Sequence, residues 1–484
     1  MTLRVLSVAS ECVPLVKTGG LADVVGALPA ALARRDTRVT TLLPGYPAVM
    51  AALGGGRALR RIDDLFGGPA RLQRGEAGGL DIIAIDAPHL FLRPGNPYLA
   101  PGGAEWGDNG VRFAALGAIA AMIASGGLRG LNFDAMHAHD WQAGLAPAYL
   151  RFANVARRPP SIFTVHNLAF QGKFPLGLFP ALGLPRQALD VAGLEYFGTV
   201  GFLKSGLWYA DRLTTVSPTY AAEIRAPEAG MGLDGLLRGR AGALSGILNG
   251  IDDEAWDPRT DAALVANFSA GDAAPRAANK AELQRRLGLA IDPDAPLYAF
   301  VGRLTWQKGM DLILGAQHAL LEQGAQLAVL GTGEWSIEQG CRDAALAHPG
   351  RIASVIAFDE GLARLMYGGA DVMLVPSRFE PCGLAQLCAL RYGALPLVAH
   401  VGGLVDTVID ANEMALAEGC ATGVHFSPTT QHMLEAAIAR MGALWRDRDA
   451  FRRCQANALR ADVSWSRSAA RYAALYRDAI THAA

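Results

Sequence analysis

The sequence predicts an α/β protein built from two doubly wound domains, each around a parallel sheet. Three observations predict it. Short apolar runs of β type alternate with longer Ala-rich helical patterns, as in consecutive βαβ units. The pattern restarts in the second half, after "ILNGID" and a polar stretch, "SAGDAAPRAANKAELQRRLGL". At 484 residues with 51% apolar content, the chain is long enough to fill two cores.

In order, "LRVLSVA", "RVTTLLP", "LDIIAID", "AMHAH" and "PSIFTVH" read as buried parallel strands, with "RLTTVS" a sixth. The apolar stretch from Phe113 to Leu128 is rich in weakly apolar Ala and near the lower length limit for crossing a bilayer, so it reads as a buried helix. After the restart, "LYAFVGRL", "AQLAVLG", "IASVIAF", "DVMLVPS" and "LPLVAHV" read as five further strands. "SWSRSAARYAALYRDAI" reads as an amphipathic helix closing the chain. The expected division is a first Rossmann-like domain over 1–245, a second over 246–457 and a closing helical segment over 458–484. No tandem repeat with a period of 20–50 residues is visible.

A formal net charge of −1 argues against a general electrostatic footprint for nucleic acid. Cys12, Cys341, Cys382, Cys388, Cys420 and Cys454 are scattered and form no CxxC pair, so a reducing, cytoplasmic setting is expected. No secretory signal is expected, because Glu11, Pro14 and Lys17 interrupt the first apolar run at once. No membrane partner is expected either.

In open parallel sheets, ligands bind beyond the carboxyl ends of the strands. Several chemically pointed segments stand there. "LVKTGGLADVVGALP" lacks the Gly-Lys-Ser/Thr ending of a nucleotidase P-loop, since Lys17 precedes Gly19 and Gly20. "VGRLTWQKGMDLI" places Arg303 and Lys308 in one loop, a pair suited to a diphosphate or to a solvated basic surface. "SRFEPCGLAQLCALRYG" places Glu380 ahead of a helix whose N-terminus suits a phosphate. Glu380 reads either as a contact to a sugar or as a helix-capping acid. "HVGGLVDTV" is a second glycine pair entering a helix, and "VLGTGE" reads as an ordinary strand-to-helix turn.

"MHAHDWQAGL" ends a strand with His137, His139 and Asp140. Successive strand residues face opposite sides of a sheet, so buried neutral histidines are expected rather than a metal site. "FTVHNLAFQGKF" sets His166 and Asn167 at another strand end, where a histidine is either structural or catalytic. The Asp-x-Asp pairs are unpersuasive as metal ligands: "DPD" (292–294) resembles a turn and "DRD" (447–449) a solvated helix face.

Taken together, "VKTGGLADVVGALP", "GNPY", "HAHDWQAGL", "TVHNLAFQG", "ILNGID", "VGRLTWQKG", "GTGE", "SRFEPCGLAQL" and "GGLVDTV" resemble the bacterial glycogen synthases and related plant starch synthases, in the family's order and over essentially the whole chain. The resemblance implies a GT-B fold, with two Rossmann-like domains facing across a cleft and a C-terminal helix crossing back to the first. It implies transfer of glucose from a nucleotide-glucose, usually ADP-glucose in bacteria, to the non-reducing end of an α-1,4-glucan. By the same resemblance Lys17, with Gly19 and Gly20, reaches the donor across the cleft, and Arg303 and Lys308 clamp the diphosphate. Cys382, Gly383, Leu384, Gly402 and Gly403 line the donor. Glu380 lies near the transferred glucose and, with His166 and Asp140, forms the expected catalytic group. Asp23, Tyr98 and Asn249 line the sugar or acceptor side. Two departures stand out. Ala385 replaces the family's usual Thr or Ser at the phosphate-binding helix start, and His400 and Val401 replace the usual pair before the second glycines.

An α-linked donor giving an α-linked product means net retention, by double displacement or by front-face attack. Preorganised cations stabilise the departing diphosphate in either case, so no metal or other cofactor is expected. Front-face attack is the favoured route. Rival readings are a GT-B transferase using UDP-glucose, a sugar-nucleotide epimerase of similar fold and a catalytically silent glucan-binding protein. A phosphorylase fits less well, because no motif for a pyridoxal-phosphate lysine is visible.

Overall fold

The computed structural model describes residues 2–155 and 158–483. Two compact units form: Met1–Asn249 together with Trp465–Ala484, and Gly250–Ser464. The chain passes between them a few residues beyond the positions expected from the sequence.

The first unit holds a nine-stranded sheet. Its order is Leu244–Gly246, Arg212–Thr215, Ser161–Val165, Ala135–His139, Leu3–Val8, Thr37–Pro44, Leu80–Asp86, Ala70–Ala77, Arg57–Ile62. All pairings are parallel except those of the last two strands, which are antiparallel. The six strands read from sequence are present, but the sheet is mixed rather than purely parallel. Three of its strands are unforeseen: Leu244–Gly246 is too short to show a pattern, and the edge strand "RALRRI" and its neighbour "ARLQRGEA" carry arginines and show no apolar run. Charged residues on an edge strand block further pairing. Three short strands, Lys173–Pro175, Thr199–Gly201 and Glu195–Tyr196, make a separate small sheet.

The stretch read as a buried helix forms Asn109–Ala124, most of it buried. Among the described residues no helix is long and apolar enough to cross a membrane. The last helix, Ser466–Ala483, belongs to the first unit. Ala469, Tyr472, Ala473, Tyr476 and Ala479 recur at helical spacing and pack, with Trp465, on Val5, Val24, Leu28, Leu32, Ala135 and Ile162. Arg212 and Asp478 pair at 2.8 Å beside this seam.

The second unit holds a six-stranded, all-parallel sheet. Its order is Ile352–Val355, Gln326–Leu330, Leu297–Val301, Val372–Val375, Leu395–Ala399, Val424–Phe426. Five strands match the sequence reading. The sixth has only three residues, too few to show a pattern.

Candidate active site

Each sheet has a point where the strand order reverses. In the second unit it lies between Leu297–Val301 and Val372–Val375, since the chain builds outward from the first strand and then returns to its other side. In the first unit it lies between Leu3–Val8 and Ala135–His139. A crevice opens beyond the carboxyl ends of two such strands, because their connections leave in opposite directions. The loops after these four strands carry Arg303 and Lys308, Glu380, Lys17, and Asp140.

In the second unit Lys308 Nζ lies 2.5 Å from Glu380 Oε2, and Ser377 Oγ donates to the same oxygen at 2.9 Å. Glu380 is 6% exposed. The two loops are tied together. Arg378 forms a fork with Asp311 at 2.8 and 2.7 Å, and its backbone N–H donates to the Gln307 carbonyl at 2.9 Å. Gln307 in turn donates to the Phe379 carbonyl at 3.3 Å, and Arg303 Nη2 lies 3.4 Å from Gln307 Oε1. The "GTGE" turn does more than connect, since Glu334 Oε1 accepts the Trp306 N–H at 3.1 Å.

Glu380 caps no helix. The helix Ala385–Tyr392 begins after Leu384 with no side-chain cap, so the capping reading falls. Gly383 has φ +78°, which allows the turn into that helix. The Gly403 N–H donates to the Glu380 carbonyl at 3.0 Å, and a Cβ on Gly403 would stand 2.4 Å from the Cys382 backbone. The second glycine pair thus packs directly on the Glu380–Cys382 segment. His400 Nδ1 lies 3.3 Å from His425 Nδ1.

In the first unit the Lys-Thr-Gly-Gly loop wraps a buried carboxylate that the sequence reading did not single out. Glu11, 3% exposed, accepts from the Thr18 N–H, from Thr18 Oγ1 at 2.6 Å, from the Gly19 N–H at 3.1 Å and from the Tyr98 hydroxyl. Its one sequence signal is an acid directly after an apolar strand. Tyr98 is itself held from behind. The buried Arg112 donates to the Leu90 carbonyl at 2.8 Å, the Pro97 carbonyl at 2.9 Å and Asn109 Oδ1 at 2.6 Å, and Asn109 Nδ2 donates to the Tyr98 carbonyl at 3.0 Å. Lys17 pairs with Asp23 at 2.7 Å and keeps 47% exposure. Gly19 has extended backbone, and a Cβ there would meet nothing within 4 Å. The fold does not require glycine at that position.

Asp140 follows its strand with φ +54° and ψ −175°, a conformation that costs a non-glycine residue about 1–3 kcal/mol. Its Oδ1 accepts the His166 N–H at 2.7 Å, and burial pushes its carboxyl up to about 7. Burial pushes His137 and His166 down to about 3 and His139 well below its ordinary value. These histidines are therefore neutral. Asn249 closes the first unit, and its Oδ1 has no hydrogen-bond partner among the described residues.

Among the described residues no group of three or more His, Cys, Asp or Glu could hold a metal ion. In "DRD", Asp447 and Asp449 are both exposed at the start of the helix Arg448–Arg460, as a solvated face requires, and Asp447 also caps that helix by accepting the Ala450 N–H at 3.0 Å. "DPD" is irregular chain, with Asp292 accepting the Asp294 N–H at 2.8 Å.

Residues 4–239 match the model of the starch synthase catalytic domain, and residues 284–458 that of glycosyl transferases group 1. A glycogen synthase of Rhodopseudomonas palustris is 56% identical over 99% of both chains. The chain belongs to the glycogen synthase family. A second such enzyme, from Acidiphilium cryptum, is 56% identical over 98% of this chain and 99% of its own. The catalytic domain of starch synthase IV from Arabidopsis thaliana, solved bound to ADP and acarbose, superposes with a TM-score of 0.86 at 30% identity, covering 99% of this chain and 100% of that one. A sucrose-phosphate synthase of Thermosynechococcus elongatus shares the fold, with a TM-score of 0.61 at 20% identity over 99% of this chain and 100% of that one. The fold is GT-B, and the family member described here is a glycosyltransferase.

Proposed function

We propose that the chain elongates an α-1,4-glucan at its non-reducing end with glucose from ADP-glucose, with retention of configuration and without a metal. One observation carries this reading: the Lys308–Glu380 pair stands at the strand-order reversal of the second unit, beside an uncapped helix start. Cations from Arg303 and Lys308, with the N-terminal dipole of Ala385–Tyr392, supply the positive charge a departing diphosphate needs. They take the part a divalent cation plays elsewhere. The backbone N–H groups of that helix serve despite the methyl of Ala385. The ADP-bound starch synthase supports the choice of nucleotide.

In the front-face route, the bond from C1 to the diphosphate oxygen breaks as the acceptor hydroxyl bonds to C1 on the same face. The acceptor's proton passes to the leaving phosphate. Glu380 holds sugar hydroxyls and steadies the oxocarbenium-like charge. His166 and Asp140, with Asp23, Tyr98 and Asn249, serve the sugar side. Lys17 adds a charge contact made in the reacting complex, and the open space over Gly19 suits close approach of a ligand to the backbone. Cys382, Gly383, Leu384, Gly402 and Gly403 shape the donor loop.

The test is glucose incorporation into glycogen by purified protein, with ADP-glucose and UDP-glucose offered in parallel and EDTA present. Incorporation mainly from ADP-glucose is expected. Preference for UDP-glucose, or loss of activity in EDTA restored by metal, contradicts the reading.

A further inference from the structure

His137 and His139 stand two apart on the strand Ala135–His139, so both rings leave the same face of the sheet. Each is 1% exposed. The proposed chemistry uses neither. His137 is held at both ring nitrogens: Nδ1 lies 2.8 Å from the Tyr476 hydroxyl on the closing helix, and Nε2 lies 2.6 Å from Thr164 Oγ1. Its ring packs against that of His139, with centroids 4.0 Å apart and planes tilted by 40°. His139 Nδ1 then lies 3.1 Å from His166 Nε2. A row of rings thus runs from the closing helix to the candidate site.

A neutral imidazole has one N–H and one lone pair. Two neutral rings joined by one hydrogen bond must therefore present a proton on one facing nitrogen and a lone pair on the other. That contact occupies Nε2 of His166, and Asp140 holds the same residue's backbone N–H. Nδ1 is the His166 ring nitrogen without a hydrogen-bond partner among the described residues.

We infer that His139 is a positioning residue for His166: it holds Nε2, ties the tautomer of His166 to its own and leaves Nδ1 as the nitrogen offered to the sugar. His137, pinned between Tyr476 and Thr164, backs His139 through the tilted ring contact. The inference rests on the sugar-side role given to His166 above. The alternative is that the row is core packing and leaves His166 free to change tautomer independently of His139.

The experiment combines long-range ¹H–¹⁵N NMR of histidine-labelled full-length protein with kinetics of His139→Phe and His139→Asn. The His166 signals are assigned by their loss in His166→Asn. In the parent protein His139 and His166 are expected in matched tautomers, both protonated at Nδ1 or both at Nε2. In His139→Phe the tautomer populations of His166 shift. His139→Asn, whose amide can stand where Nδ1 stood, keeps Nε2 of His166 hydrogen-bonded. Turnover should fall roughly ten- to a hundredfold in His139→Phe, the scale of a misplaced reacting group. The donor KM and ADP binding should stay within about twofold, and His139→Asn should recover most of the turnover. Opposite tautomers on the two rings in the parent protein overturn the inference, and this reading needs no variant to fold. So does a His139→Phe variant with parental turnover. Matched tautomers in a parent protein that elongates no glucan overturn the proposed function while upholding the contact, so the two readings fail separately.

Discussion

Glu380 Oε2 stands 2.5 Å from the Lys308 ammonium and 2.9 Å from the Ser377 hydroxyl. The carboxylate therefore occupies the cation that a diphosphate would seek. Glu380→Gln is near-isosteric and removes only the charge. Turnover is expected to fall roughly a hundredfold or more, the scale of a lost transition-state electrostatic contact. ADP affinity by calorimetry should hold or rise, because Lys308 loses its competing partner. Near-normal turnover would return Glu380 to a structural role.

Lys17 separates stability from activity. Its pair with Asp23 is partly exposed, so Lys17→Ala should change stability by less than about 1 kcal/mol. As a charge-assisted contact in the reacting complex it should nevertheless lower turnover and kcat/KM together, by about ten- to a hundredfold. Lys17→Arg should recover only part, since a planar guanidinium does not replace a compact ammonium. Thermal melts and steady-state kinetics on both variants decide, and unchanged turnover at saturating donor contradicts the role.

The strand-end motifs were legible because open parallel sheets put ligands there, and glycines, cations and acids at strand ends need no contact map to be noticed. Lys308 and Glu380 were each visible, but their contact was not. They lie in loops after different strands, and only sheet order makes those loops neighbours. Glu11 escaped for a related reason. A lone acid after a strand carries no pattern, and its importance comes from four hydrogen bonds that converge on it, one from Tyr98 far along the chain. The edge strand Arg57–Ile62 and its neighbour Ala70–Ala77 escaped because both carry charged, partly exposed residues and show no apolar run.

Arg112 tests the support behind Tyr98. It is 1% exposed, and its guanidinium satisfies two carbonyls and Asn109. Arg112→Met leaves those acceptors buried without donors, which should cost about 3–5 kcal/mol. Arg112→Lys should recover little, because one ammonium cannot reproduce the fork. Urea unfolding measures both, and a loss under about 1 kcal/mol contradicts the packing account.

The buried histidines set a pH dependence of stability. Burial holds His137 and His166 down to about 3 and His139 well below its usual value, so their contribution is fully present above about 6.5 and is lost as pH falls. Asp140 acts oppositely. Raised to about 7 by burial, it keeps its proton in the folded state and gives it up on unfolding above about 4. At pH 5 unfolding should therefore take up about two protons net from these four groups, so stability should fall by roughly 2–3 kcal/mol per pH unit between 6 and 5. Urea unfolding at pH 7, 6 and 5 checks the slope. A flat profile contradicts neutral burial of the three rings.

The most direct measurement of the central claim follows a reducing-end-labelled maltooligosaccharide incubated with purified protein, ADP-glucose and EDTA. The account predicts a ladder lengthening by single glucose units at the non-reducing end, every new linkage α-1,4, and almost no ladder with Glu380→Gln. A ladder from Glu380→Gln equal to that of the parent protein, β-linked products, or no ladder from ADP-glucose at all would contradict it.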